Sequence, residues 1–173
     1  MSRKRSKDGE HAVFPSVLQD ALWHTTSIDR YRLILSSGAI LADPPLNDAE
    51  RWCTQGGPDL YPFVRHLGGV SLFEFRAFDH RRYSRKYMAS WHVFIPFNAH
   101  WVSTVWIEIN NVAIAGSYRS PAQLARLMKN SSAYQHNLMP EIEAASLAPI
   151  PIGAFGRVLV ASRTNPNPEP LRS

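Results

Sequence analysis

Residues 21 to 38 read as a strand that runs straight into a helix, and that unit restricts the chain to folds in which a helix leaves the end of a sheet strand. Ala21, Leu22, Trp23, His24 and Thr25 alternate, with Leu22 and His24 on one face and Trp23 and Thr25 on the other. The period then changes. Ile28, Tyr31, Ile34 and Leu35 recur at helical spacing, Thr26 with Asp29 three residues on fits a capping box, and Gly38 suits a left-handed stop. His24 is thus expected at the C-terminal end of a strand, just before a helix N-terminus, where amides and hydroxyls gather into an anion- or amide-binding corner. A histidine there is open to two readings, a capping or core residue and a site residue.

A second feature lies near the C-terminus, where Glu141-Ile142-Glu143 leads into the apolar run 144 to 152. In an extended segment this spacing puts both carboxylates on one side of the backbone and Ile142 on the other. Two like charges on one face are costly unless solvated or given a cation, so the pair is either a solvated strand entrance or a site.

Between these ends the pattern predicts one α+β domain over residues 13–163, with tails at 1–12 and 164–173 that lack an apolar period. Gly68 to Phe75 alternates as a strand with Ser71 and Phe73 on one face. Trp91 to Pro96 and Val102 to Asn110 read as strands, Asn111 as part of a turn, and Val112 to Ala115 as a short partner strand. Ser120 caps a helix through Lys129 whose buried face carries Leu124, Leu127 and Met128, and Arg157 to Ala161 closes the sheet.

In order and distance these segments resemble the ADP-ribosyltransferase fold, the family that breaks the nicotinamide glycosidic bond of NAD. The likeness rests on His24-Thr25-Thr26, on the helix ending Ser36-Ser37-Gly38, and on Glu141-Ile142-Glu143 followed by Ile150-Pro151-Ile152. It spans roughly residues 20 to 162 and is nearest in look to the small bacterial DNA-modifying toxin type, with Glu143 eight residues before Pro151. The resemblance implies a split β-sheet flanked by short helices in a single domain, and NAD as co-substrate. It implies Glu143 as the catalytic carboxylate and Glu141 as the acid facing the acceptor. His24, Thr25 and Thr26 would anchor the dinucleotide, and Ser71 and Phe73 would stand for the third-strand serine and the aromatic that stacks on nicotinamide. The implied acceptor is a macromolecule, DNA or RNA among the candidates, and an antitoxin protein is an implied partner. An assisting arginine is expected from a loop, with Arg51, Arg65 and Arg76 all open. The chain departs from the branch with a first-strand arginine and from the branch with paired mid-chain tyrosines. Two other readings stand beside this one: an RNA 2′-phosphotransferase-like enzyme of the same fold, which would show several arginines facing a phosphate, and a non-catalytic nucleic-acid-binding module.

Charge is uneven. The formal net charge is +5, and residues 76 to 86 hold five basic residues against Asp79. Tyr83 and Tyr87 interleave with these cations, a pattern that suits phosphate contact with base stacking, or else a solvated helix face. The seven histidines show neither the i, i+4 pairing nor the Cys-x-x-Cys spacing of zinc sites, so no metal is expected. The lone Cys53 points to a reducing compartment and is not expected to be a nucleophile. No membrane span or secretory signal is read, so the expected location is cytoplasmic.

Overall fold

The computed structural model describes residues 14–51, 54, 56–87, 101–162 and 164–171. The expected N-terminal tail, the strand expected at 91–96 and Cys53 lie outside these residues. The chain is α+β, a single domain with a mostly antiparallel sheet flanked by a few helices. Its strands are β1 (Leu22–Ser27), β2 (Ala39–Ile40), β3 (Val70–Glu74), β4 (Ser103–Ile109), β5 (Tyr118–Arg119), β6 (Glu143–Ser146), β7 (Ile150–Pro151), β8 (Phe155–Ser162) and β9 (Glu169–Pro170). The helices are α1 (Ile28–Ser37), α2 (Phe63–His66), α3 (His80–Tyr87) and α4 (Pro121–Asn130). Seven strands form one antiparallel sheet in the order β5-β6-β3-β1-β4-β8-β9, and β2 pairs with β7 in a separate two-stranded sheet.

One irregularity in this sheet matters most. β1 and β3 pair only at Leu22 with Glu74 and Trp23 with Phe73. Beyond that point β1 stays with β4 as far as Ser27 opposite Thr104, while β3 stays with β6 from Phe73 opposite Glu143 to Val70 opposite Ser146. The ladder therefore opens between the two central strands, and the backbone groups it frees need other partners. His24 supplies one, since its Nδ1 lies 3.0 Å from the carbonyl oxygen of Ser71.

Alternation along the strands gives each face its own core. One face gathers Trp23, Phe73, Phe75, Tyr83, Trp106 and Ile142 into an aromatic cluster, in which the Trp23 indole N–H donates to the Leu18 carbonyl at 2.9 Å. The other face gathers Leu22, Val70, Leu72, Val105, Ile107 and Ala144, against which Ile28, Tyr31 and Ile34 of α1 pack. This is the outcome expected of period-2 strands buried on both sides.

Several local expectations are corrected. Ser27, not Thr26, caps α1, its Oγ accepting from the Arg30 N–H at 3.3 Å. The reason is that β1 keeps pairing with β4 through Ser27, which holds Thr26 extended and buried. Gly38 does close the helix in the left-handed region, at φ 77°. Residues 112–115 form consecutive turns instead of a strand, because the Asn110 side chain accepts from the Val112 N–H at 3.0 Å and turns the chain back. Leu127 of α4 is exposed, leaving Leu124 as the buried anchor of that helix. In the segment expected as a C-terminal tail, Glu169 and Pro170 pair with Val160 and Leu159 of β8.

Candidate active site

The opening between β1 and β3 faces a cavity of about 840 Å³. His24, Thr25, Thr26, Ser71, Phe73 and Glu143 all line it, so six of the seven residues proposed from the sequence meet at one place. A smaller cavity of about 330 Å³, lined by Asp20, Arg76 and Glu108 among others, contains none of them.

Glu143 is the most constrained of these groups. It is 3 % exposed, and its Oε1 accepts from the Ser71 hydroxyl at 2.6 Å. Its Oε2 accepts from the Met139 N–H at 3.0 Å, while the Glu143 N–H donates back to the Met139 carbonyl at 3.0 Å. The register explains the first contact, since Ser71 lies opposite Ala145 and so diagonal to Glu143 on the same sheet face. Phe73 lies directly opposite Glu143. Burial pushes the Glu143 carboxyl above its ordinary range, against the two hydrogen bonds that favour its charged form.

His24 is held in one tautomer. The Ser71 carbonyl can only accept, so Nδ1 carries the proton and Nε2 is left as an acceptor. Burial lowers the imidazole pKa below the usual histidine value, which keeps the ring neutral at physiological pH. The group is thus built to receive a hydrogen bond. Phe73 is a cavity wall set in the aromatic core, with its ring 5.5 Å from Trp106 and 5.7 Å from Phe75.

Glu141 departs from the expected arrangement. The turn closed between Met139 and Glu143 puts Glu141 in the left-handed region, at φ 59°, so the two acids do not alternate along one strand. β6 begins only at Glu143. The Glu141 carboxylate points to α3, where it pairs with Lys86 and lies 3.9 Å from Arg82. It does not line the cavity. A side-chain hydrogen bond from Lys86 holds its carboxyl below the usual range, opposite in direction to Glu143.

The basic segment is also revised. Tyr83 is 2 % exposed and packs in the aromatic cluster with Tyr87 4.7 Å away, so Tyr83 offers no face for stacking a base. Arg81, Arg82, Arg85 and Lys86 remain exposed on α3. Arg76 is not part of that helix: it donates to Glu74 at 2.8 Å and to the Tyr118 hydroxyl at 3.0 Å, and it lines the smaller cavity.

Arg51 and Arg65, both named from the sequence, line the main cavity, and Arg30 of α1 joins them there. Arg65 is fixed by Asp48 at 2.6 Å, and its guanidinium lies 3.6 Å over the Tyr61 ring. Arg51 reaches Asp43 at 2.6 Å and the Ala42 carbonyl at 2.9 Å. Arg30 and the Met139 N–H were not expected from the sequence. The helical spacing that begins at Ile28 gave Arg30 a face only in general terms, and a backbone donor across a turn leaves no residue-type signal.

Among the described residues no cluster of three or more His, Cys, Asp or Glu is placed to hold a metal ion, and no helix is long and apolar enough to cross a membrane. Comparison of the chain with family models, curated proteins and solved structures finds no match.

Proposed function

We propose that the chain is an NAD-dependent mono-ADP-ribosyltransferase of toxin or defence type that modifies a macromolecule. The observation that carries this reading is the buried Glu143 carboxyl, held by Ser71 and Met139 in the same cavity as a neutral, acceptor-bearing His24. NAD supplies a ribose joined to a positively charged nicotinamide, which leaves as a neutral group. Cleavage of that bond builds oxocarbenium-like charge on the sugar, and a carboxylate fixed beside it stabilises the transition state more than the ground state. The two hydrogen bonds preorganise Glu143 for this, so no reorientation is needed as charge develops.

The raised Glu143 pKa fits the same chemistry. A cationic ligand entering the cavity favours the carboxylate, so ligand binding and ionisation support each other. His24 would accept a hydrogen bond from a ribose hydroxyl through Nε2, contributing position and not proton transfer. The cavity suits such a ligand, for its volume is in the range of cofactor sites and most of its lining is apolar around a few convergent polar groups.

A second reading keeps the same fold and NAD but takes a phosphorylated acceptor, as an RNA 2′-phosphotransferase-like enzyme would. Arg30, Arg51 and Arg65 on the cavity wall favour it. One experiment separates these readings and tests both. Purified protein and its Glu143→Gln variant are incubated with adenylate-labelled NAD, first alone, then with a lysate, then with 2′-phosphorylated RNA. Release of nicotinamide by the parent and not by the variant supports the catalytic role of Glu143, and the fate of the label in protein, DNA, RNA or a cyclic phosphate product names the acceptor. No nicotinamide release under any of these conditions removes both enzymatic readings and leaves a binding module.

A further inference from the structure

The smaller cavity lies at the other end of the central strands, where β1 begins and β3 and β4 end, and the chemistry of Glu143 does not use it. Its volume, about 330 Å³, is near the lower end of the range for small-molecule sites. Three backbone irregularities meet at its walls. Asp20, just before β1, and Ala77, next to the lining residue Arg76, are non-glycine residues in the left-handed region, at φ 60° and φ 56°. The ladder between β4 and β8 carries a bulge, for Ile107 lies opposite Val158 and Ile109 opposite Phe155, so Gly156 and Arg157 together face Glu108. A Cβ on Gly156 would come within 3.1 Å of the Glu108 carboxylate, so the glycine leaves that carboxylate its place in the wall. Bulges re-aim side chains and left-handed residues persist only where their surroundings hold them, and both gather at ligand sites. The walls are tied together, since the Asp20 N–H donates to the Phe75 carbonyl at 3.2 Å and the Phe75 N–H to the Ala21 carbonyl at 3.0 Å.

Hydrogen-bonding capacity decides what fits. Glu108 is committed to Arg157, and Arg76 is committed to Glu74 and the Tyr118 hydroxyl through Nε and Nη2. Left over in the lining, among the described residues, are Nη1 of Arg76, Nδ2 of Asn110, the Asn111 amide, and the Asp20 carboxylate, which only the adjacent Gln19 approaches, at 3.5 Å. The cavity thus offers both free acceptors and free donors. An ammonium only donates and would leave those donors idle, while a phosphate or carboxylate only accepts and would face Asp20. A hydroxyl does both, and neighbouring hydroxyls can share the two oxygens of one carboxylate in charge-assisted bonds. Among the described residues no aromatic ring lines the cavity, so a nucleobase would find nothing to stack on. We propose that this cavity is a sugar-binding site, in which Asp20 accepts from two vicinal hydroxyls of a pyranose or furanose ring while Arg76 and Asn111 donate to its oxygens. The ring has two possible sources, a free monosaccharide and a glycosidically linked unit, and the site recognises the diol they share. It is separate from the Glu143 cavity and does not depend on NAD being a substrate.

The test uses the whole chain and follows backbone amide shifts by NMR. The probes are ribose, glucose, galactose and mannose, the methyl glycoside of each, and ethanolamine and inorganic phosphate as controls. At least one sugar should bind with millimolar or tighter affinity and shift the amides of Asp20, Ala21, Asn110, Asn111 and Gly156, and neither control should. Asp20→Gly removes the carboxylate but takes φ 60° without steric cost, so it should fold and bind that sugar about tenfold or more weaker. Asn111→Ala, which removes a side chain without a hydrogen-bond partner, should weaken binding several-fold. A methyl glycoside that binds like its parent sugar identifies a linked unit as the source, and one that does not identifies a free sugar. The inference is overturned if no sugar shifts these amides, if the shifts fall only on the lining of the main cavity, or if a control binds here more tightly than every sugar. It is equally overturned if the folded Asp20→Gly protein binds like the parent. Should Asp20→Gly fail to fold, unchanged affinity in Asn111→Ala overturns it alone.

Discussion

The strand that begins at Glu143 and the turn that carries Glu141 share a residue type and lie two positions apart, yet their surroundings are opposites. Glu143 is buried against Phe73, bound by a serine hydroxyl and a backbone N–H, and has no cation within salt-bridge reach among the described residues. Glu141 stands partly exposed at a left-handed backbone position and is tied to the cations of α3. The first environment raises the carboxyl pKa and the second lowers it. Chemistry at a sugar needs a carboxylate whose orientation is fixed and whose field water does not screen, so only Glu143 has the surroundings for it. Glu141 is placed to position α3 relative to β6.

The sharpest way to break this contrast is to neutralise each acid in turn. Glu143→Gln should reduce NAD turnover on the order of 10²-fold or more, because it removes a charge contact made in the transition state. A folded variant with retained turnover would end the catalytic assignment. The same substitution sharpens the contrast through stability. Folded Glu143 holds its proton to higher pH than the unfolded chain does, so this residue makes the parent lose stability as pH rises from the ordinary glutamate range through the raised folded pKa. Glu143→Gln should flatten that part of the melting-temperature profile, and an unchanged slope would argue against the buried carboxyl as its cause.

Next in size is His24. His24→Ala should weaken NAD binding about tenfold, and His24→Asn, which keeps a hydrogen-bonding side chain of smaller reach, should recover part of the loss. Calorimetric affinities equal to the parent for both variants, with lowered melting temperatures, would make His24 a residue that only bridges the opening between β1 and β3. Ser71→Ala removes the hydroxyl that donates to Glu143 while leaving the backbone carbonyl that His24 uses. The remaining carboxyl is harder to ionise, so the pH profile of turnover should shift toward higher pH, with a several-fold loss at neutral pH and a weaker NAD affinity there that recovers as pH rises.

The smallest effects belong to Glu141. Glu141→Gln breaks an exposed ion pair, so NAD hydrolysis should be nearly unchanged and the melting temperature should move by only about a degree or two. Because the Glu141 carboxylate points to α3 and not into the cavity, transfer to a macromolecular acceptor should fall no more than hydrolysis does, and a selective loss of transfer would restore an acceptor-side role. Glu141→Gly should melt no lower than Glu141→Gln, since glycine takes the left-handed backbone at φ 59° without steric cost.

The residues of the candidate site were legible to different depths for definite reasons. Ser71, Phe73 and His24 sit on strands whose alternation is plain, so their faces followed from the pattern and hold in the fold. The position of Glu141 does not follow from the pattern, because the extended segment begins only at Glu143 and the turn that ends there is closed by backbone groups that any residue type carries. Tyr83 departs from its local pattern for a related reason. Its neighbours in sequence are cations, but at helical spacing it points inward to Phe78 and the aromatic core.

By itself the sequence determined the strand-to-helix unit at Leu22–Ser37, the Gly38 stop, the Ser120 cap of α4 and the apolar strands of the sheet, because these depend on periodicity and on side chains that act on adjacent backbone. Tertiary structure alone decided that β1 and β3 part after Trp23 and Phe73, that a cavity opens there, and that Glu143 turns into it while Glu141 turns away. It also gathered Arg30, Arg51 and Arg65 from a helix, a loop and a second short helix into the lining of one cavity. The physical reason is the range of the interactions. Caps and periodic faces are settled within a turn of chain, whereas where a ladder stops, and which distant groups satisfy what it leaves unpaired, is settled by packing between strands about 50 to 76 residues apart in sequence, from Trp23 opposite Phe73 to Val70 opposite Ser146.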